Sequence, residues 1–163
     1  MVDLDEYLPK LRAALRARRS APFHVTARTD ARAPLGLEAA ITRARAFADA
    51  GADAVFVEAP ESEAEMDAVR AAVPRHVPLV ANMIERGRTP VRPAAALAAA
   101  GYQIVALPVT GLLAVARALA DAYRTIVADG SSSALHDRLL GFAELNALVG
   151  LEAKLRRERE WLA

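Results

Sequence analysis

Four leucines, Leu4, Leu8, Leu11 and Leu15, recur at spacings of four, three and four through an otherwise polar opening segment. That spacing lines them along one side of a helix and predicts one over Leu4 to Arg18. The period then drops to two. Phe23, Val25 and Ala27 alternate with His24, Thr26 and Arg28, which predicts a strand from Phe23 to Ala27 with the apolar set facing the helices. A breaker, Ala33-Pro34-Leu35-Gly36, precedes a helix predicted from Leu37 to Ala50 and stopped by Gly51. Strand and helix alternate three more times. Strands are predicted at Ala54 to Val57, Leu79 to Ala81 and Gln103 to Leu107, with helices at about Glu61 to Val73, Pro93 to Ala100 and Gly111 to Ala128. Four strands alternating with helices at short intervals predict an α/β domain of parallel β-α units. These units and the leading helix account for residues 1–130. Residues 131–163 are predicted to be a helical tail, interrupted near Gly141 and Gly150, charged from Arg156 to Glu160, and ending in Trp161, which calls for a covering surface.

Composition narrows the core and the partners. Hydrophobic residues make up 54% of the 163 positions but aromatic ones only 5%, so the core is built mainly from Ala, Val and Leu. Basic and acidic side chains nearly balance, 21 against 20, which gives no reason to expect nucleic acid or an anionic membrane as a partner. The absence of cysteine excludes disulfides, thiolate nucleophiles and Cys-ligated metals. No apolar run reaches the roughly 18–20 residues that cross a bilayer, and Met1 to Glu6 is acidic rather than leader-like. A cytoplasmic protein is the expectation.

The chemistry gathers where parallel strands end. In α/β folds the βα loops open on one rim, and reactive groups collect there. Arg28 and Asp30 follow the first strand, Glu58 the second, Asn82 the third and Pro108 the fourth. A guanidinium grips a carboxylate through two parallel hydrogen bonds, and an asparagine amide adds a neutral donor. Glu58 is placed to orient Arg28 or to accept a proton, which points to a small anionic ligand. A structural Arg–Glu ion pair accounts for the same residues equally well, and Asp30 is equally suited to cap the loop before the Leu37 helix. His24 reads as structural, and His76 and His136 as loop and surface residues. No metal-ligand spacing and no Gly-rich phosphate motif is present.

Longer strings are more specific. Ala27-Arg28-Thr29-Asp30-Ala31, Gly51 through Pro60, Ala81-Asn82-Met83, Gly87-Arg88-Thr89-Pro90, Gly101-Tyr102 through Pro108-Val109 and Phe142-Ala143-Glu144-Leu145-Asn146 occur in a set order. In that order and spacing they resemble the isocitrate lyase/phosphoenolpyruvate mutase family, including its 2-methylisocitrate lyase and carboxyphosphonoenolpyruvate phosphonomutase-like members. The resemblance covers essentially the whole chain and begins before the family's fifth strand. It implies the C-terminal half of a (β/α)8 TIM barrel, and an enzyme that makes or breaks a C–C or P–C bond in a small carboxylic acid through an enolate held by Mg²⁺. It matches Arg28 to the arginine that contacts the substrate's anionic groups, and Glu58 to a glutamate of the same network. Asn82, with Thr89 nearby, matches the group that binds a substrate carboxylate, and Pro108 a proline lining the pocket. The tail resembles the segment that family members exchange between subunits.

The family's first four strands, its Asp-rich Mg²⁺ site and its Lys-x-Cys-Gly-His type of loop have no counterpart in these 163 residues. The metal contributes several kcal/mol, as an order of magnitude, to stabilising developing charge in such sites. The isolated chain is therefore expected to be inactive or nearly so. Phe56, Val80, Ile104 and Ala106 are expected on the face that would point into a barrel, with His24 and Thr26 as polar members of it. A lone half would leave that face and two sheet edges uncovered. A second copy in a homo-oligomer, a complementing N-terminal half on a separate chain, or the tail helices would each provide cover. Two functions fit: the carboxylate-binding part of a split Mg²⁺-dependent lyase or mutase, or a non-catalytic half-barrel that binds anions or partners.

Overall fold

A computed structural model describes residues 1–18 and 22–162. Two compact units divide the chain, residues 1–112 and the segment from Leu113 onward.

The first unit begins with α1 (Leu4–Ala17), then β1 (Thr26–Thr29), a single helical turn α2 (Arg32–Leu35) and α3 (Leu37–Asp49). It continues with β2 (Ala54–Val57), α4 (Glu63–Ala72), β3 (Leu79–Asn82), α5 (Ala94–Ala99) and β4 (Ile104–Ala106). The strands form one all-parallel sheet in the order β1-β2-β3-β4. That order never reverses, as in a barrel wound in one direction; a doubly wound sheet changes direction at a switch point. Among the described residues β1 and β4 each pair on one side only.

Register separates the two faces of the sheet. Ala27 pairs with Val55 and Val55 with Leu79; Thr29 pairs with Val57, and Ala81 with Val105. This set faces the helices, and all but Val105, which is half-buried, are buried. The helix α3 packs on β1, β2 and α4, with Ala40, Ala44 and Phe47 fully buried. Alanines at those positions bring helix and sheet backbones close, as the composition implied. The leucine row of α1 joins the same core, and Tyr7 stacks at 4.7 Å, tilted, against Phe47. The other row is Arg28, Phe56, Val80 and Ile104, in direct register across all four strands. Ile104 is 38% exposed, and Thr26 and Arg28 are exposed as well.

Three expectations are corrected. The first strand starts at Thr26 rather than Phe23, because pairing begins where Thr26 meets Ala54. Phe23 consequently does not face the helices and is 67% exposed, and exposed His24 precedes the strand. The supposed breaker is mostly helical. Pro34 is the third residue of α2, where its missing N–H is one that a helix's first turn leaves unbonded in any case. Gly36, at φ 87°, then separates α2 from α3.

The second unit contains most of α6 (Thr110–Asp129), a 3-10 turn (Ser133–Arg138), α7 (Phe142–Leu148) and α8 (Leu151–Leu162). The tail breaks at Gly141 and Gly150 as expected, with Gly150 at φ 67°. Trp161 is exposed at the end of the charged α8 rather than covered. No helix among the described residues is long and apolar enough to cross a membrane.

Candidate functional site

The same register builds the site. Phe56 pairs with Arg28 and Val80 with Phe56, so Glu58 and Asn82, each two residues further on, rise on the same side one layer nearer the carboxyl rim. Backbone bonds fix both positions. Glu58 N–H donates to Thr29 O at 2.9 Å, and Met83 N–H donates to Ala106 O at 2.8 Å. Ala59 then turns the chain at φ 56°. Left-handed backbone in a non-glycine residue is the kind of strain that surrounding structure retains at functional sites.

Three of the sequence-derived residues meet there. Arg28 donates from Nε to Asp30 Oδ1 at 2.8 Å, and its Nη2 lies 3.2 Å from Glu58 Oε2. Asn82 Nδ2 donates to that same Glu58 oxygen at 3.2 Å. The guanidinium also sits 4.7 Å above the Phe56 ring, a cation–π contact that holds its plane. Glu58 therefore orients a cation and an amide at once. Asp30 does not cap the loop. Thr29 Oγ1 takes that part by accepting from Ala31 N–H at 3.2 Å, which leaves Asp30 to Arg28. Arg28 remains 47% exposed with both carboxylates in place.

Beside this cluster opens a cavity of about 260 Å³ lined by Glu58, Asn82, Thr89 and Arg88, with Ala33 and Ile84 among its apolar walls. Thr89 is thus brought to Glu58 and Asn82. Pro108 is exposed beyond β4 and does not line this cavity.

A second ionic group stands beside the first. Arg32 grips Glu65 through Nε and Nη2, both at 2.7 Å, and reaches Glu61 at 2.9 Å. Glu61 N–H donates to Glu65 at 2.8 Å, and Ser62 Oγ accepts from Glu65 N–H as the cap of α4. The hydrogen bonds from Arg32 hold the Glu65 carboxyl below the usual glutamate range, and Glu65 in turn raises Arg32 above its ordinary value. Arg88 reaches Glu61 at 3.5 Å. Sequence reasoning missed Arg88, Arg32 and Glu61. The Ser62-x-x-Glu65 signature of a capping box was the available signal for this second group.

Among the described residues no three acidic or imidazole groups converge to hold a metal ion. The two carboxylates nearest the site, Asp30 and Glu58, converge on the Arg28 guanidinium instead. These residues therefore do not fit a Mg²⁺ site formed by this chain alone.

Known proteins share this fold. Residues 1–127 match the family described as phosphoenolpyruvate phosphomutase. The chain is 36% identical over 152 residues to 2,3-dimethylmalate lyase of Eubacterium barkeri, covering 93% of this chain and 52% of that protein. Oxaloacetate acetylhydrolase, solved in complex with the product oxalate, superposes with a TM-score of 0.89 at 28% identity, over 100% of this chain and 56% of that one. Phosphonopyruvate hydrolase, solved with oxalate and Mg²⁺, superposes with a TM-score of 0.82 at 28% identity, over 100% and 58%. The chain spans about half the length of the curated relatives it matches.

Proposed function

Because the chain belongs to the isocitrate lyase/phosphoenolpyruvate mutase family, we propose that its strand-end cluster binds the carboxylate of a small organic acid within a Mg²⁺-dependent lyase or mutase site. One observation carries this reading. Arg28, Glu58 and Asn82 form a single bonded network at the carboxyl rim, beside a cavity of about 260 Å³ that also receives Thr89.

In this reading Glu58 keeps both donors aimed by accepting from each. The second N–H of the Asn82 amide, the Thr89 hydroxyl and the Arg28 guanidinium are the donors offered to an incoming carboxylate. A charged acceptor gains roughly twice what a neutral one does from such donors. In the complete family site a bound Mg²⁺ would supply stabilisation of developing negative charge. Its ligands are not these residues, so the 163-residue chain alone is expected to turn over little or nothing. Val80 is already buried and Phe56 half-buried within the chain. A complementing four-strand half, or a second copy in a homo-oligomer, is therefore the partner that would cover exposed Ile104 and Arg28 on that face and pair the free sheet edges.

The test is complementation. Mixed with a separately expressed half carrying the missing strands and with Mg²⁺, the chain is expected to release pyruvate or glyoxylate from a 2-hydroxy di- or tricarboxylate. Arg28→Ala in that mixture is expected to abolish release, and unchanged release would sink the assignment. The engagement of both nearby carboxylates, Asp30 and Glu58, by the Arg28 guanidinium favours a second reading, a non-catalytic anion-binding module. Tight binding of a small acid without turnover in any complemented mixture would select it.

A further inference from the structure

We propose that Arg88 sets ligand selectivity at this site, by exchanging Glu61 for the second carboxylate of a dianionic acid. The inference rests on the carboxylate-binding reading of the cavity and goes beyond it by naming the residue that discriminates between acids of different charge.

The cations around the cavity are not equally committed. Arg28 carries two carboxylates and an aromatic ring. Arg32 holds Glu65 in a two-pronged grip and Glu61 besides. Among the described residues Arg88 has one ionic partner, Glu61, at the long distance of 3.5 Å, and is 61% exposed. Exposed pairs of this kind are weak and readily exchanged. The exchange leaves no charge stranded, because Glu61 keeps Arg32 at 2.9 Å when Arg88 departs.

Position and charge point the same way. Arg88 lines the cavity together with Asn82, Thr89 and Glu58. The loop that delivers it is tight: Gly87 N–H donates to Ile84 O at 3.0 Å, and Arg86 takes φ 61°. A side chain at Gly87 would meet Ile84 O at 3.0 Å and Ile84 Cβ at 3.2 Å, so glycine there keeps the turn closed and Arg88 and Thr89 adjacent at the cavity. The first carboxylate of a ligand has the Asn82 amide and the Thr89 hydroxyl. A second one entering beside Glu58 meets a like charge, and Arg88 is the cavity-lining cation available to offset it. A monoanion makes no such demand, so the residue discriminates between acids by their charge.

The experiment is an NMR titration of the full chain with malonate and, separately, acetate at fixed ionic strength. Malonate is expected to bind about tenfold more tightly than acetate, the equivalent of one good charge-assisted contact. Arg88→Gln is expected to remove about that tenfold advantage while changing acetate binding less than about twofold. Arg88→Lys should restore most of it. Glu61→Gln removes the competitor and should tighten malonate by roughly two- to fivefold, a gain that a merely structural Arg88–Glu61 pair would not produce. Unchanged selectivity in Arg88→Gln, or equal loss of both acids, overturns the proposal. Asn82→Ala separates the two levels of the argument. If it weakens both acids while Arg88→Gln weakens neither, the role of Arg88 falls and the carboxylate site stands. If Asn82→Ala alters neither acid, the site reading fails and the inference fails with it.

Discussion

Two arginines at opposite ends of one sheet are held in opposite ways. At the carboxyl rim Arg28 is half exposed and gripped by side chains, the carboxylates of Asp30 and Glu58. At the amino end Arg70 of α4 is 5% exposed and gripped by backbone. It donates to Val73 O at 2.7 Å, Pro74 O at 2.8 Å, Gly101 O at 3.1 Å and Val77 O at 3.3 Å. Carboxylates on rotatable bonds can be traded for a ligand's carboxylate. Carbonyls fixed in loops cannot, so Arg70 ties the end of α4 to the turns that launch β3 and β4. Burial is the main cause that draws Arg70 below the ordinary arginine value, a cost those four acceptors offset. The difference separates a binding end from a stability end, as barrels of this kind divide.

Arg70→Met should break the stability end most. It leaves carbonyls in two loops without their donor, and unsatisfied buried groups cost about 1–3 kcal/mol each before relaxation. A loss of about 3 kcal/mol or more in urea unfolding is expected, and a loss under about 1 kcal/mol would mean that water replaces the guanidinium freely. Next in size is Gly101→Ala. Gly101 stands at φ 89°, and an added Cβ would lie 2.9 Å from Arg70 Cδ. Gly51, at φ 92° with open space around it, is the built-in control. Its alanine variant should show the backbone term alone, about 1–2 kcal/mol. The surplus in Gly101→Ala measures the pressure on Arg70, and equal losses would show that the arginine yields.

The two ends were not equally legible in the sequence. Arg28, Glu58 and Asn82 could be picked out because strand ends in parallel folds point their side chains at a common rim. The strand Ala54–Val57 was readable at both ends, since an unbroken apolar run is closed by Asp53 and by Glu58-Ala59-Pro60. Alternation at Phe23 to Ala27 assigned faces to the residues that lie in the strand, but not where the strand starts, because that is set by its partner Ala54. Arg88 was hidden among Arg86 and Arg92 in one loop, where spacing does not say which arginine enters a cavity. Arg70 was not singled out in the sequence. Its burial depends on the two loops that fold over it, and helical period does not encode them.

At the binding end, substitutions should cost function rather than stability. Arg28→Ala removes two partly exposed ion pairs and a cation–π contact. Such contacts contribute about 0–1 kcal/mol each to stability. Thermal unfolding should shift by no more than a few degrees while acid binding is lost. A collapse in stability comparable with that of Arg70→Met would erase the division between the ends.

The smallest expected effect tests the stability end through pH. Asp53, just before β2, accepts from Val25 N–H at 2.8 Å and pairs with Arg18, joining the start of β2 to the approach to β1. The Val25 hydrogen bond, then Arg18, hold its carboxyl below the usual aspartate range. The folded pKa is below the unfolded one, so the unfolded chain binds the proton more readily. The contribution is complete above the ordinary carboxylate pKa of about 4 and drains away as pH falls through the folded value. Asp53→Asn keeps an acceptor for Val25 but loses the charge. It should cost about 1 kcal/mol or less at pH 7 and flatten the acid limb of the stability curve, measured as unfolding midpoints between pH 7 and pH 3. If the two acid limbs run parallel, Asp53 does not hold the amino end through its charge, and the neutral clamp on Arg70 carries that end of the sheet.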